Sequence, residues 1–138
     1  MGGKMAEEVS LHMEHAQLAL DDGKLLLGNS GSRQGAIGRA WVAMIHAGWA
    51  MLLSVGEPVN TDDDVIAALE KRFGNNSWFY GYITGAKDVY LRVEFGAPVQ
   101  AASLPANAAG AVSNADKFIS MAHEFIITGD RRCWSVFE

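Results

Sequence analysis

Hydrophobic positions along this chain fall into runs of helical period, separated by short clusters of small polar residues. Between residues 6 and 27, Val9, Met13, Ala16, Leu20, Gly23 and Leu27 recur at intervals of four and three, and Leu11, Leu18 and Leu25 form a flanking row. The spacing predicts an amphipathic helix. Gly28-Asn29-Ser30-Gly31-Ser32 then supplies residues that end one helix and cap the next, which predicts a tight antiparallel hairpin. In the second helix positions 37, 41, 44, 48, 51 and 55 make one apolar row and 42, 45, 49 and 52 a second beside it. That width suits a helix buried on most of its circumference. Gly56 and Pro58 close it.

Thr61-Asp62-Asp63-Asp64 reads as a cap followed by carboxylates in a first turn, where the helix dipole favours negative charge. Val65, Ile66, Leu69 and Phe73 give the short helix behind it an apolar stripe. Phe79, Ile83, Ala86, Tyr90 and Val93 predict a fourth helix, stopped by Gly96 and Pro98. An irregular stretch leads to a last helix marked by Ala108, Val112, Ala115, Ile119, Ala122 and Ile126 and ending at Gly129. No segment alternates with period two, and no internal repeat is evident. The pattern therefore predicts an all-α, up-and-down bundle of four to five helices over residues 5–129, with a tail at 130–138 carrying Trp134, Val136 and Phe137. Met1 to Lys4 are set aside from this reasoning.

At 138 residues the chain suits one domain, and 49% hydrophobic with 20% charged residues is ordinary for a folded one. Its net charge of −5 argues against broad capture of double-stranded DNA. A single cysteine, Cys133, forms no internal disulfide, so a cytoplasmic setting is expected. No basic region followed by an apolar core opens the chain, and Arg39 and His46 interrupt the second helix. Neither a signal peptide nor a membrane span is expected.

Two sets of residues carry a family resemblance. Ala36, Arg39, Ala40, Trp41, Ala43, Met44, His46 and Ala47 lie in the second helix, and Tyr90, Arg92, Phe95 and Gly96 in the fourth. With the order of helices, over roughly residues 8–128, the chain resembles HEPN-domain proteins. The resemblance implies a helical bundle, homodimerisation, and roles linked to nucleotides or RNA, often beside a nucleotidyltransferase partner in toxin–antitoxin pairs. Catalytic members look like metal-independent endoribonucleases with a late Arg-x4-6-His signature. Arg92 is the closest counterpart, yet Val93-Glu94-Phe95-Gly96-Ala97-Pro98-Val99 follows it without a histidine. Members with an arginine followed by an acidic residue and an aromatic look like binding domains rather than cleaving ones.

Arg39 and His46 meet the literal spacing of that signature in the wrong helix. Their i to i+7 relation puts them on one face, where histidine would serve as acid or base and arginine would stabilise phosphorane charge. The competing reading is a partly polar stripe paired with carboxylates of a neighbouring helix. Glu8, His12, His15 and Asp22 share one stripe of the first helix with the donor types of a transition-metal site, but no second cluster of ligands is evident elsewhere in the sequence. A solvated face is preferred and no metal is expected. Trp78, Phe79, Tyr80 and Tyr82 with Lys87 and Arg92 suggest base stacking; most fall on core spacing, which leaves Tyr80 as the candidate exposed ring. Asp88 and Arg92 are placed as a helix-surface ion pair. Cys133 beside Arg131 and Arg132 is read as an ordinary thiol, and Gly38 and Gly48 with Ala43, Ala47 and Ala50 as permitting close helix approach.

These readings converge on a homodimeric HEPN-like bundle that binds a nucleotide, RNA or a nucleotidyltransferase-type partner without catalysis or cofactor, through Arg39, His46, Tyr80 and Arg92. Two alternatives stay open: a ribonuclease toxin using Arg39 and His46 or Arg92, and a dimeric scaffold with no small ligand.

Overall fold

The computed structural model describes residues 3–28, 33–73 and 104–129. They form four helices, α1 (Gly3–Leu27), α2 (Arg33–Ser54), α3 (Asp62–Phe73) and α4 (Leu104–Thr128), and no strand occurs among the described residues. The fold is an all-α helical bundle. The helix expected at 79–95 and the tail at 130–138 lie outside the described residues.

Each helix boundary follows from local chemistry. α2 ends at Ser54, and Gly56 two residues beyond takes φ +79, the left-handed conformation that glycine adopts without a Cβ penalty. Its N–H donates to the Leu53 carbonyl at 3.0 Å, and the Glu57 N–H donates to the Leu52 carbonyl at 2.9 Å, so two otherwise orphaned carbonyls are satisfied. Thr61 caps α3 as expected: its Oγ1 accepts from the Asp64 N–H at 3.1 Å, while Asp64 Oδ2 accepts from the Asn60 N–H at 3.1 Å. Gly129, at φ +69, ends α4 by donating to the Phe125 carbonyl at 2.7 Å. The last helix begins four residues earlier than its apolar rhythm suggests. Pro105 is second in it, a first-turn position where a missing N–H costs nothing.

α2 packs against each of the other three helices. Ile37, Met44, Ile45, Met51 and Leu52 are essentially inaccessible, and Leu20, Leu69, Phe118 and Met121 meet them from the surrounding elements. Val42 and Trp49, from the second apolar row, are half-buried. The stretch Gln34–Ser54 has the length and apolarity of a membrane span, and 72% of its qualifying 18-residue window is buried inside the bundle. Gly48 lets α3 come close, since a Cβ there would stand 2.9 Å from Leu69 Cδ1 and 3.2 Å from Val65 Cγ1. Gly38 plays no such part; a Cβ there would meet nothing within 4 Å.

α1 and α2 form the predicted hairpin. Val9 packs with Ala50 and Leu53 near one end, His12 meets His46 in the middle, and Asp22 meets Arg39 towards the turn, which is antiparallel order. The flanking row of α1 is not core. Leu11, Leu18 and Leu25 are 56%, 63% and 78% exposed, and their seven-residue spacing sets them on one line along the outside of the helix.

Candidate functional site

Antiparallel pairing of α1 and α2 joins two residue sets that the sequence presents separately. The α1 stripe of Glu8, His12, His15 and Asp22 faces the Arg39 and His46 stripe of α2. A seven-residue step on each helix covers the same axial distance, so His15 to Asp22 on one side matches His46 to Arg39 on the other.

His12 and His46 approach through their Nδ1 atoms at 2.9 Å, one ring donating and the other accepting. His15 stacks on His46 with ring centroids 3.9 Å apart and planes 16° from parallel. Trp49, one turn beyond His46, stacks on His12 at 4.7 Å and 15°. Three imidazoles and an indole thus form one column at the middle of the hairpin. Sequence patterning places His12 and Trp49 in other roles, in a solvated stripe and a core row; only the register of the hairpin reveals them as neighbours of His46.

Burial disfavours charge on two of these rings, His12 and His46. Burial pushes His46 from 6.5 down to about 4, assisted by His15, His12 and Arg39, whose positive charges disfavour another. Burial also lowers His12, an effect that Glu8 opposes and His15 reinforces. Arg39 binds Asp22, with Nη2 and Oδ2 3.3 Å apart. The expectation of a carboxylate partner on the neighbouring helix is met for Arg39, whereas His46 finds another imidazole instead. Arg39 Nε is buried and has no hydrogen-bond partner among the described residues. Among the described residues no three His, Cys, Asp or Glu side chains gather around one point as they stand.

Tyr80 and Arg92, with Trp78, Phe79, Tyr82, Lys87, Asp88 and Cys133, lie outside the described residues. An open groove of about 610 Å³ runs between α1 and α4, past Ser10, Glu14, Gln17, His123 and Glu124. It shares no residue with the imidazole column, and its carboxylates make it a poor receptor for a phosphate.

Comparison with protein-family models and with curated proteins found no match.

Proposed function

We propose that the chain is a HEPN-like binding protein without catalytic activity, which works as a homodimer and holds a nucleotide or RNA at the Arg39–His46 face. Arg39 carries the reading. Its side chain is 33% exposed and gives Nη2 to Asp22 on one side. Guanidinium donors satisfied on one side only suit a phosphate oxygen, which accepts charge-assisted hydrogen bonds. Trp49 and the imidazoles beside it offer flat faces for a base. His46 supports binding over cleavage, because a ring with its pKa near 4 is deprotonated at neutral pH and poorly matched to general-acid work.

The dimer reading draws on α1. A two-fold axis beside Leu18 would set Leu11 against Leu25 and Leu18 against its own copy, a self-complementary pairing of apolar positions. Tyr80 and Arg92 remain proposed ligand contacts, and a nucleotidyltransferase-type protein the proposed macromolecular alternative.

Fluorescence polarisation with a labelled single-stranded RNA, beside thermal-shift measurements with nucleotides, tests the binding. Arg39→Ala is expected to weaken association at least tenfold with the fold intact. Absence of any RNA or nucleotide response would favour the plain scaffold. The hydrogen-bonded His12–His46 pair near Arg39 favours ribonuclease activity as the second reading. RNA cleavage that disappears in both Arg39→Ala and His46→Ala would replace the binding reading with that one.

A further inference from the structure

The outer face of α1 carries charge on both sides of its leucine line. Leu11, Leu18 and Leu25 are exposed, and among the described residues no helix covers them. Glu7, Glu14 and Asp21, all exposed, each stand four residues before one of these leucines, and Glu8, His15 and Asp22 each stand three before. Residues at those offsets lie on either flank of a helical position. Five of the six are carboxylates around an apolar centre. On the first flank the charge is uncompensated: among the described residues no cation pairs with Glu7, Glu14 or Asp21, while Lys24 turns to Asp116 on α4 and Arg39 to Asp22. Asp21 accepts a hydrogen bond from Gln17 at 3.0 Å, which leaves its charge in place.

We propose that this line receives an amphipathic helix of another protein, with apolar residues at seven-residue intervals and Lys or Arg flanking them. The inference uses the face assigned above to the homodimer, and rests on that reading only for the copy that is displaced. A two-fold axis beside Leu18 turns the row of Glu7, Glu14 and Asp21 against itself, so a second copy offers the right leucines and the wrong charge. Like charges across a helix interface select against a pairing, as opposite ones select for it. A basic helix keeps the apolar contact and exchanges repulsion for attraction. The homodimer is then the weaker association and the mixed pair the stronger. Lys and Arg suit the place for a second reason, since their long apolar stems lie along the leucines while their heads reach the carboxylates. From Leu11 to Leu25 the line runs about 21 Å along the helix, so the partner helix needs about four turns to cover it. Seven-residue spacing drifts slowly round a straight helix, and a partner crossing at about 20° follows it. Carboxylates on both flanks repel an anionic membrane surface, another acceptor of exposed apolar stripes.

The test uses two labelled synthetic peptides of about 20 residues, each about 30 Å of helix, with leucine at every seventh position in an alanine-rich background. One carries lysines beside the leucines and the other glutamates. Fluorescence polarisation with the full chain gives the affinity, and size exclusion with light scattering gives the mass of the complex. The expected result is binding of the lysine peptide that weakens as salt rises, at least tenfold weaker association of the glutamate peptide, and a complex of one chain with one peptide. Leu18→Lys weakens the lysine peptide at least tenfold. Glu7→Lys, Glu14→Lys and Asp21→Lys combined, with the fold checked by circular dichroism, reverse the preference between the two peptides. No binding of the lysine peptide, or equal binding of it by the unmodified protein and Leu18→Lys, overturns the proposal, and these measurements decide it even if the triple variant fails to fold. A dimer that persists with the lysine peptide in excess also overturns it and gives the face to the second copy. The two readings fail separately: a chain that is monomeric alone, yet binds the lysine peptide through Leu18, refutes the α1 homodimer and keeps the partner helix.

Discussion

His12 and His46 are 34 residues apart in the chain and share a 2.9 Å hydrogen bond across the α1–α2 hairpin. The bond joins two neutral imidazoles and would survive a proton on the donor ring's far nitrogen, so it is burial that disfavours a charge on either ring. A neutral pair is therefore the favoured state of the native packing, a condition set by burial.

That condition makes stability depend on pH. The unfolded chain takes up protons on these histidines near pH 6.5, while folded His46 resists until about pH 4. The unfolded state binds more protons across that window, so the stability these rings contribute is complete above pH 6.5 and is lost as pH falls towards 4. The loss attributable to His46 is about 1 kcal/mol, below what its shift alone would give, because the half-buried ring is screened by solvent. Urea midpoints at pH 7.5 and 4.5 check this: the unmodified protein falls further than His46→Gln. Equal falls would show that carboxylates alone set the acid limit.

Two glycines on α2 are expected to respond in opposite ways. Gly48→Val drives side-chain atoms into Leu69 and Val65 and costs about 2 kcal/mol. Gly38→Ala adds a methyl group in open space and relieves the backbone entropy of a helical glycine, gaining about 0.5–1 kcal/mol. Chemical denaturation of both variants tests the pair.

The cap on α3 can be removed without touching the core. Thr61→Ala leaves the Asp64 N–H without its 3.1 Å acceptor and costs about 1 kcal/mol. Thr61→Ser keeps an oxygen in reach and recovers most of it. Thermal melts of the two variants distinguish a lost cap from a general effect of substitution.

The leucine line on α1 gives an assembly test. Leu18 is 63% exposed, so Leu18→Lys is expected to leave monomer stability within about 0.5 kcal/mol. If two copies pair through this line, light scattering after size exclusion shows a dimer for the unmodified protein and a monomer for the variant. A dimer in both moves the interface elsewhere.

Much of the architecture was legible in the sequence because helix period, capping chemistry and glycine–proline punctuation act locally. The rows through Val9, Ala16 and Leu20, and through Ile37, Met44 and Met51, are buried as their spacing implies. The flanking leucines illustrate the limit of that reasoning. Leu11, Leu18 and Leu25 repeat as regularly as core residues, and only the placement of neighbouring helices reveals which of two apolar rows faces inward. The imidazole column was hidden for the same reason. His12 and His15 are visible as a stripe on one helix, His46 as a lone residue on another, and their meeting depends on hairpin register, which no local pattern encodes. Gly38 and Gly48 are likewise indistinguishable in the sequence, since the difference lies in whether α3 passes over them.

The burial of α2 also bears on how the protein is made. Alone, Gln34–Ser54 is apolar enough to partition into lipid, and a ribosome releasing it would present a hazardous segment to the cell. The chain order answers the hazard: α1 emerges first and ends at Leu27, and α2 starts soon after at Arg33. The most extensive partner of α2 is thus already synthesised when α2 appears, whereas α4 starts only at Leu104. A hairpin of such local contacts closes quickly. Element order, and not composition alone, lets so greasy a helix serve as the centre of this fold.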